Sequence, residues 1–198
     1  MGVASARTSA MVERDASILA PLAGFYAAAG HPLPAVHAVD VIDLPSELRE
    51  LLRAPEPLTP RLENRHGEEL ALRVLERRRV GERYARRVVL VRGDGAPVVL
   101  GAIEIDLALL AADRRAEVLA ETVPFGHILA SAMADPDALL RVACDPFIAG
   151  ALALPRAQGW LYGRRRTVGD ADGATIATVV EILAPDPERS ARVSRTGS

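Results

Sequence analysis

The 198-residue sequence predicts an α+β domain built on an antiparallel β-sheet. Three observations carry that prediction. Strand-like apolar runs with period-two patterning occupy residues 69–78, 83–91, 98–105, 160–168 and 175–183. Two of the links between them, Arg92-Gly-Asp-Gly-Ala-Pro97 and Gly169-Asp-Ala-Asp-Gly173, are the glycine–aspartate turns that close hairpins. Helical stretches are inserted between the two hairpins, as an α+β arrangement requires.

In chain order, residues 1–15 read as loose and residues 16–29 as an alanine-rich helix, with His31-Pro-Leu-Pro34 as a linker. Residues 46–52 form a short amphipathic helix. Another helix starts at Leu58-Thr-Pro-Arg-Leu62, with Thr59 expected as N-cap and Pro60 at the first helical position. The first strand follows, with Leu70, Leu72 and Val74 on one face. After the first hairpin, residues 107–120 and 135–144 read as helices. The second hairpin leads to a proline- and arginine-rich tail expected to be disordered. The expected division is an N-terminal helical extension (1–43), a domain (44–185) and the tail (186–198).

Composition narrows the chemistry. The chain is 49% hydrophobic and 25% charged, which excludes wholesale disorder. Aromatics make up only 4% and the net charge is -2, so no nucleic-acid partner is expected. All 24 basic residues are arginine, which excludes Schiff-base, pyridoxal-phosphate and lysine-dependent phosphate-loop chemistry. Cys144 is the only cysteine and reads as a buried structural thiol. The four histidines have no metal-site spacing, so neither metal nor organic cofactor is expected. The apolar stretch at 18–29 is too short and proline-broken to span a membrane, and a cytoplasmic protein is expected, monomeric or homodimeric.

Two features stand out against this background. Glu181 interrupts an apolar strand, sharing its face with Ala177, Val179 and Leu183. Such a carboxylate is either solvated at a strand end or held in a dry pocket, poised to move a proton. Arg86 and Arg87 fall on opposite faces of another strand, so one of them points inward, where an anion must satisfy its five donors. The triplets Arg77–Arg79 and Arg164–Arg166 read first as solvated strand ends and second as a source of positive potential for an anionic small molecule.

Taken in order, Leu58-Thr-Pro-Arg-Leu62, residues 83–97, Pro124-Phe-Gly-His-Ile-Leu129, Gly163-Arg-Arg-Arg166 and Val180-Glu-Ile-Leu-Ala-Pro185 resemble the chorismate pyruvate-lyase family. The resemblance covers roughly residues 44–185. It implies a single antiparallel sheet whose buried ligand pocket is covered by helical flaps. It also implies elimination of pyruvate from chorismate to give 4-hydroxybenzoate, without a cofactor. By that resemblance Arg87 grips a substrate carboxylate, Glu181 is the catalytic acid or base, and Leu58, Phe125 and Gly126 contact the ligand. Phe125 stands where the family has an aliphatic residue, which motivates a second reading as an enzyme of secondary metabolism with another substrate. A third reading is an effector-binding domain, because the same fold resembles the sensing domain of a transcription-factor family. The 43 residues before Leu44 read as too few and too rich in alanine and proline for a winged helix, so the lyase leads at this stage.

Overall fold

The structure, a computed structural model, describes residues 15–129, 133–170 and 172–186. Its strands are β1 (Val36–Val39), β2 (Ala71–Val80), β3 (Arg83–Val91), β4 (Pro97–Asp106), β5 (Ala138–Ala143), β6 (Trp160–Gly169) and β7 (Thr175–Leu183). They form one seven-stranded sheet ordered β1-β5-β6-β7-β4-β3-β2, with every neighbouring pair antiparallel. The α+β class and the single antiparallel sheet are therefore as the sequence predicts. The expected hairpins are β3–β4 and β6–β7, and they meet through β4 and β7 at the centre of the sheet.

The helices are α1 (Leu22–Ala29), α2 (Ser46–Arg53), α3 (Leu58–His66), α4 (Ala112–Ala120), α5 (Phe125–Ile128) and α6 (Pro146–Ala151). One face of the sheet is covered by α1 and α6. Leu22, Phe25 and Tyr26 pack there with Ile148 against Val89, Leu100, Leu140, Val142, Val180 and Ile182. On the other face α2 and α3 bury Leu51, Leu52, Leu58 and Leu62 against Leu90, Val99 and Leu183. Further along that face, Val118 of α4 and Ile128 of α5 pack with Ile103, Ile105 and Val168.

Several expected elements differ. Residues 135–144 hold strand β5 rather than a helix. Short apolar runs do not distinguish the two by periodicity, and here alternation decides, because Leu140 and Val142 are both fully buried on one face. The helix expected over 16–29 breaks at 19–21, and its second half, α1, stops at Gly30, whose φ of 68° suits a residue without Cβ. In 107–120 a 3₁₀ turn at Leu107–Leu109 precedes α4. Thr59 is no N-cap: α3 begins at Leu58, after Pro57, and Thr59 is its buried second residue. Residues 22–39, assigned to an extension, supply α1 and the edge strand β1 of the same sheet. The loose start expected for 1–15 and the tail beyond Asp186 lie outside the described residues, Asp15 excepted.

Tyr26 locks α1 in place. Its hydroxyl donates to Asp145 Oδ1 at 2.8 Å, and the same oxygen caps α6 by accepting from the Ile148 amide at 2.9 Å. Burial and the adjacent carboxylate hold the phenol well above the usual tyrosine range. Tyr26→Phe removes this bond while keeping the ring, so a loss of about 1 kcal/mol is expected. In a domain of this size that lowers the unfolding midpoint by roughly 2–4 °C, readable by calorimetry. An unchanged midpoint would show that the bond contributes nothing net.

Candidate functional site

The two helical caps on the second face leave the middle of the sheet uncovered between them. The resulting pocket holds about 690 Å³ of empty space, its mouth included. Its floor is made by Val88 and Leu90 of β3, Val99, Gly101 and Ile103 of β4, and Val179 and Glu181 of β7. Pro57, Thr59, Pro124, Phe125, Gly126 and Leu129 form the rim. Gly101 stands in register between Val88 and Glu181, and a Cβ there would come within 3.2 Å of Val88 Cγ2. Its missing side chain therefore keeps the floor open.

The polar groups fall on two rows across the strands. One row runs Arg166, Val179, Ile103, Arg86. Both arginines line the pocket, with two apolar residues between them and Cα atoms about 14 Å apart by strand spacing. Arg86 is 1% exposed, and among the described residues no carboxylate lies within ion-pairing distance of it. Its Nη1 and Nη2 reach the carbonyls of Val118 and Val123, at 3.4 and 3.3 Å, Tyr84 hydrogen-bonds it and the Glu121 carboxylate adds a favourable charge, but its buried Nε has no hydrogen-bond partner. Burial pulls the Arg86 guanidinium below the usual arginine range, and burial together with Arg164 does the same to Arg166. Nearby, Tyr84 donates to Glu121, and burial plus that carboxylate pushes its phenol up to about 12.

The second row runs Arg164, Glu181, Gly101, Val88. Arg164 is fully buried, and its Nε donates to Glu181 Oε2 at 2.7 Å. Its remaining nitrogens clamp the connection between α2 and α3: Nη1 donates to the Ala54 carbonyl at 2.8 Å and Nη2 to that of Glu56 at 3.0 Å. Arg166 Nη2 donates to the Pro55 carbonyl of the same connection at 2.9 Å. The rim is tied together by His127 Nε2, 3.0 Å from Glu63 of α3. It is also tightly packed, since a Cβ on Gly126 would fall 2.8 Å from Thr59 Oγ1.

The structure thus brings Glu181, Phe125 and Gly126 together at one cavity. It separates the other two residues singled out in the sequence. Leu58 is buried in the hydrophobic cluster beneath α3 rather than in the cavity wall. Arg87 lies on the opposite face of the sheet, 2.7 Å from Glu76 and stacked 4.0 Å over the Phe147 ring. Alternation places Arg86 and Arg87 on different faces, but both faces of this sheet are covered, so the pattern alone cannot say which one carries the cavity. The cavity arginine is Arg86. Glu181 is likewise no isolated carboxyl, because Arg164 is its ion-pair partner. Arg164 and Arg166 share a face, as the triplet's spacing requires, while Arg165 turns away to Asp137. The triplet at Arg77–Arg79 is exposed and engaged at the surface: Arg77 pairs with Glu121 at 2.6 Å and Arg78 lies over Phe25. Gly101 was missed, although a lone glycine inside an apolar strand is a sign of close approach.

No protein-family model and no curated protein matches the sequence. Among solved structures, the chain is similar to PhnF from Mycobacterium smegmatis, with a TM-score of 0.50, 15% identity, and coverage of 64% of this chain and 63% of that one. It is similar to the isolated effector domain of PhnF, with a TM-score of 0.46, 16% identity, and coverage of 64% and 88%. It is also similar to the ligand-binding domain of a transcriptional regulator assigned to the GntR family from Bordetella bronchiseptica, with a TM-score of 0.47, 19% identity, and coverage of 59% and 86%. At these identities the likeness establishes the fold, and the chain spans under two thirds of full-length PhnF.

The lyase expectation is corrected. The residues carried over for elimination chemistry are not assembled for it, with Arg87 on the far face and Glu181 bound to Arg164. The expectation that nucleic acid plays no part gains no support from the comparisons. Among the described residues, no helix is long and apolar enough to cross a membrane.

Proposed function

We propose that this domain binds a small effector, an apolar body bearing an anionic group, in the cavity over the sheet and without chemical conversion. It is read as an effector-binding domain of the kind found in GntR-family regulators, and the expected cytoplasmic location belongs to the same reading. One observation carries the proposal: Arg86 is a buried guanidinium in the cavity wall that forms no ion pair among the described residues and whose Nε is left without a hydrogen-bond partner. A buried charge is unfavourable unless it is paired and hydrogen-bonded, and a ligand anion supplies both. Arg166 at the other end of the same row adds positive potential. The apolar floor accepts the rest of the ligand and accounts for most of its burial.

The test is a thermal-shift comparison of short-chain and aromatic carboxylates with their uncharged alcohol or amide counterparts. Carboxylates are expected to raise the unfolding midpoint, with about 2.7 kcal/mol of stabilisation at a hundredfold excess over Kd. Uncharged counterparts are expected to have little effect. Equal shifts from both, or none from any carboxylate, would overturn the assignment.

A further inference from the structure

We infer that the α2–α3 connection is the moving part that reports occupancy of the cavity, and that Arg166 and the Glu181–Arg164 pair are its two linkages. The inference rests on the proposed binding of an anionic ligand and concerns what that binding does to the flap.

The geometry is specific. Arg166 lines the cavity and at the same time holds the Pro55 carbonyl at 2.9 Å. Glu181 lines the cavity and holds Arg164, which in turn holds the carbonyls on either side of Pro55. Three successive carbonyls of one loop are thus gripped by two guanidiniums, one lining the cavity itself and the other paired with a carboxylate that does. The Ala134 amide adds a further bond to Pro55, from the segment that leads into β5. The loop directly precedes Pro57 and Thr59 on the cavity rim, where Thr59 packs against Gly126 of α5.

A neutral carbonyl is a weaker acceptor for a guanidinium than a carboxylate is. An anion entering the cavity therefore draws Arg166 away from Pro55. It also repels Glu181, its neighbour on the floor, and so disturbs the orientation of Arg164. Both effects weaken the hold on residues 54–56. The predicted response runs against the usual tightening of a protein around its ligand: α2, α3 and their connection loosen while the sheet beneath is stabilised. A switch of this kind converts a small charge in the cavity into exposure of a helix pair at the surface.

Amide hydrogen exchange over residues 46–66 reads this directly. Two probes are used with the full chain, hexanoate and 1-hexanol, and the β3–β4 hairpin serves as the internal reference. In wild type, hexanoate is expected to speed exchange at 54–62 several-fold while slowing it in the hairpin, and 1-hexanol to leave 54–62 unchanged. Slower or unaltered exchange at 54–62 with bound hexanoate would overturn the coupling. The ligand-free Glu181→Gln variant gives a reading independent of any ligand. Losing the counter-charge of Arg164 should itself speed exchange at 54–62 several-fold, and no change there would overturn the coupling even if no carboxylate binds. If hexanoate fails to bind but Glu181→Gln has its expected effect, the ligand assignment falls and the linkage stands. Should Glu181→Gln fail to fold, Glu181→Asp, which keeps the charge and shortens the reach to Arg164, takes its place with the same expected result and the same overturning one.

Discussion

Arg86→Met is expected to raise the unfolding midpoint and to abolish binding of carboxylates in the same protein. The two effects share one cause. Among the described residues this guanidinium has no ion-pair partner, its carbonyl acceptors lie at 3.3 and 3.4 Å, and burial outweighs the favourable effect of Tyr84 and Glu121, so the folded state bears much of its desolvation cost. Methionine fills much of the same space with apolar, adaptable atoms. Replacing poorly compensated buried ionic groups by hydrophobic ones stabilises by about 1–4 kcal/mol, or roughly 2–16 °C at this chain length. Removing a charge that meets the ligand in a dry cavity costs about 2–5 kcal/mol of binding, a loss of some thirtyfold or more. Arg87→Met is the matched control. It breaks the pair with Glu76 and the stacking on Phe147, so it should lower stability modestly and leave ligand affinity unchanged. Calorimetry and equilibrium binding on the two variants decide the matter. Retained carboxylate binding in Arg86→Met would remove the cavity's proposed anion site, and lost binding in Arg87→Met would put it on the other face.

The contrast between these neighbouring arginines shows how far the sequence reaches. Hairpins β3–β4 and β6–β7 were legible because their turn chemistry is local, as in Arg92-Gly-Asp-Gly. Strand β5 was not, since Leu139, Leu140, Val142 and Ala143 form an apolar run too short to show a period. Strand β1, only four residues long, follows the linker His31–Pro34 and reads from sequence as part of the N-terminal extension. Glu181 was conspicuous as a carboxylate in an apolar strand, but its partner sits across the β6–β7 register, which no spacing rule reveals. The lyase reading depended on that gap: an unpaired Glu181 suggests proton transfer, whereas one held by Arg164 at 2.7 Å suggests a structural counter-ion. By the same pairing Glu181→Gln should lower stability, because it strands the fully buried Arg164.

Gly163→Ala carries the largest expected loss of stability. Gly163 of β6 faces Ile182 of β7, and a Cβ there would fall 2.1 Å from the Glu181 carbonyl oxygen and 3.1 Å from both the Glu181 carbonyl carbon and Ile182 Cα. All three obstacles are backbone, so no rotamer change relieves the overlap and the two strands must move apart. Overpacking a core usually costs about 1–3 kcal/mol, and a clash with backbone at the sheet's centre belongs at or beyond the upper end of that range. At this chain length the midpoint should fall by roughly 6–12 °C or more. Gly150→Ala provides the opposite sign within the same fold: the glycine is in α6, nothing lies within 4 Å of the new Cβ, and alanine gains up to about 1 kcal/mol in a helix. A Gly163→Ala protein that melts with wild type would mean that β6 and β7 are not in this register. Arg164 would then not stand opposite Glu181, and the linkage from cavity to flap would lose its geometry along with the strand pair.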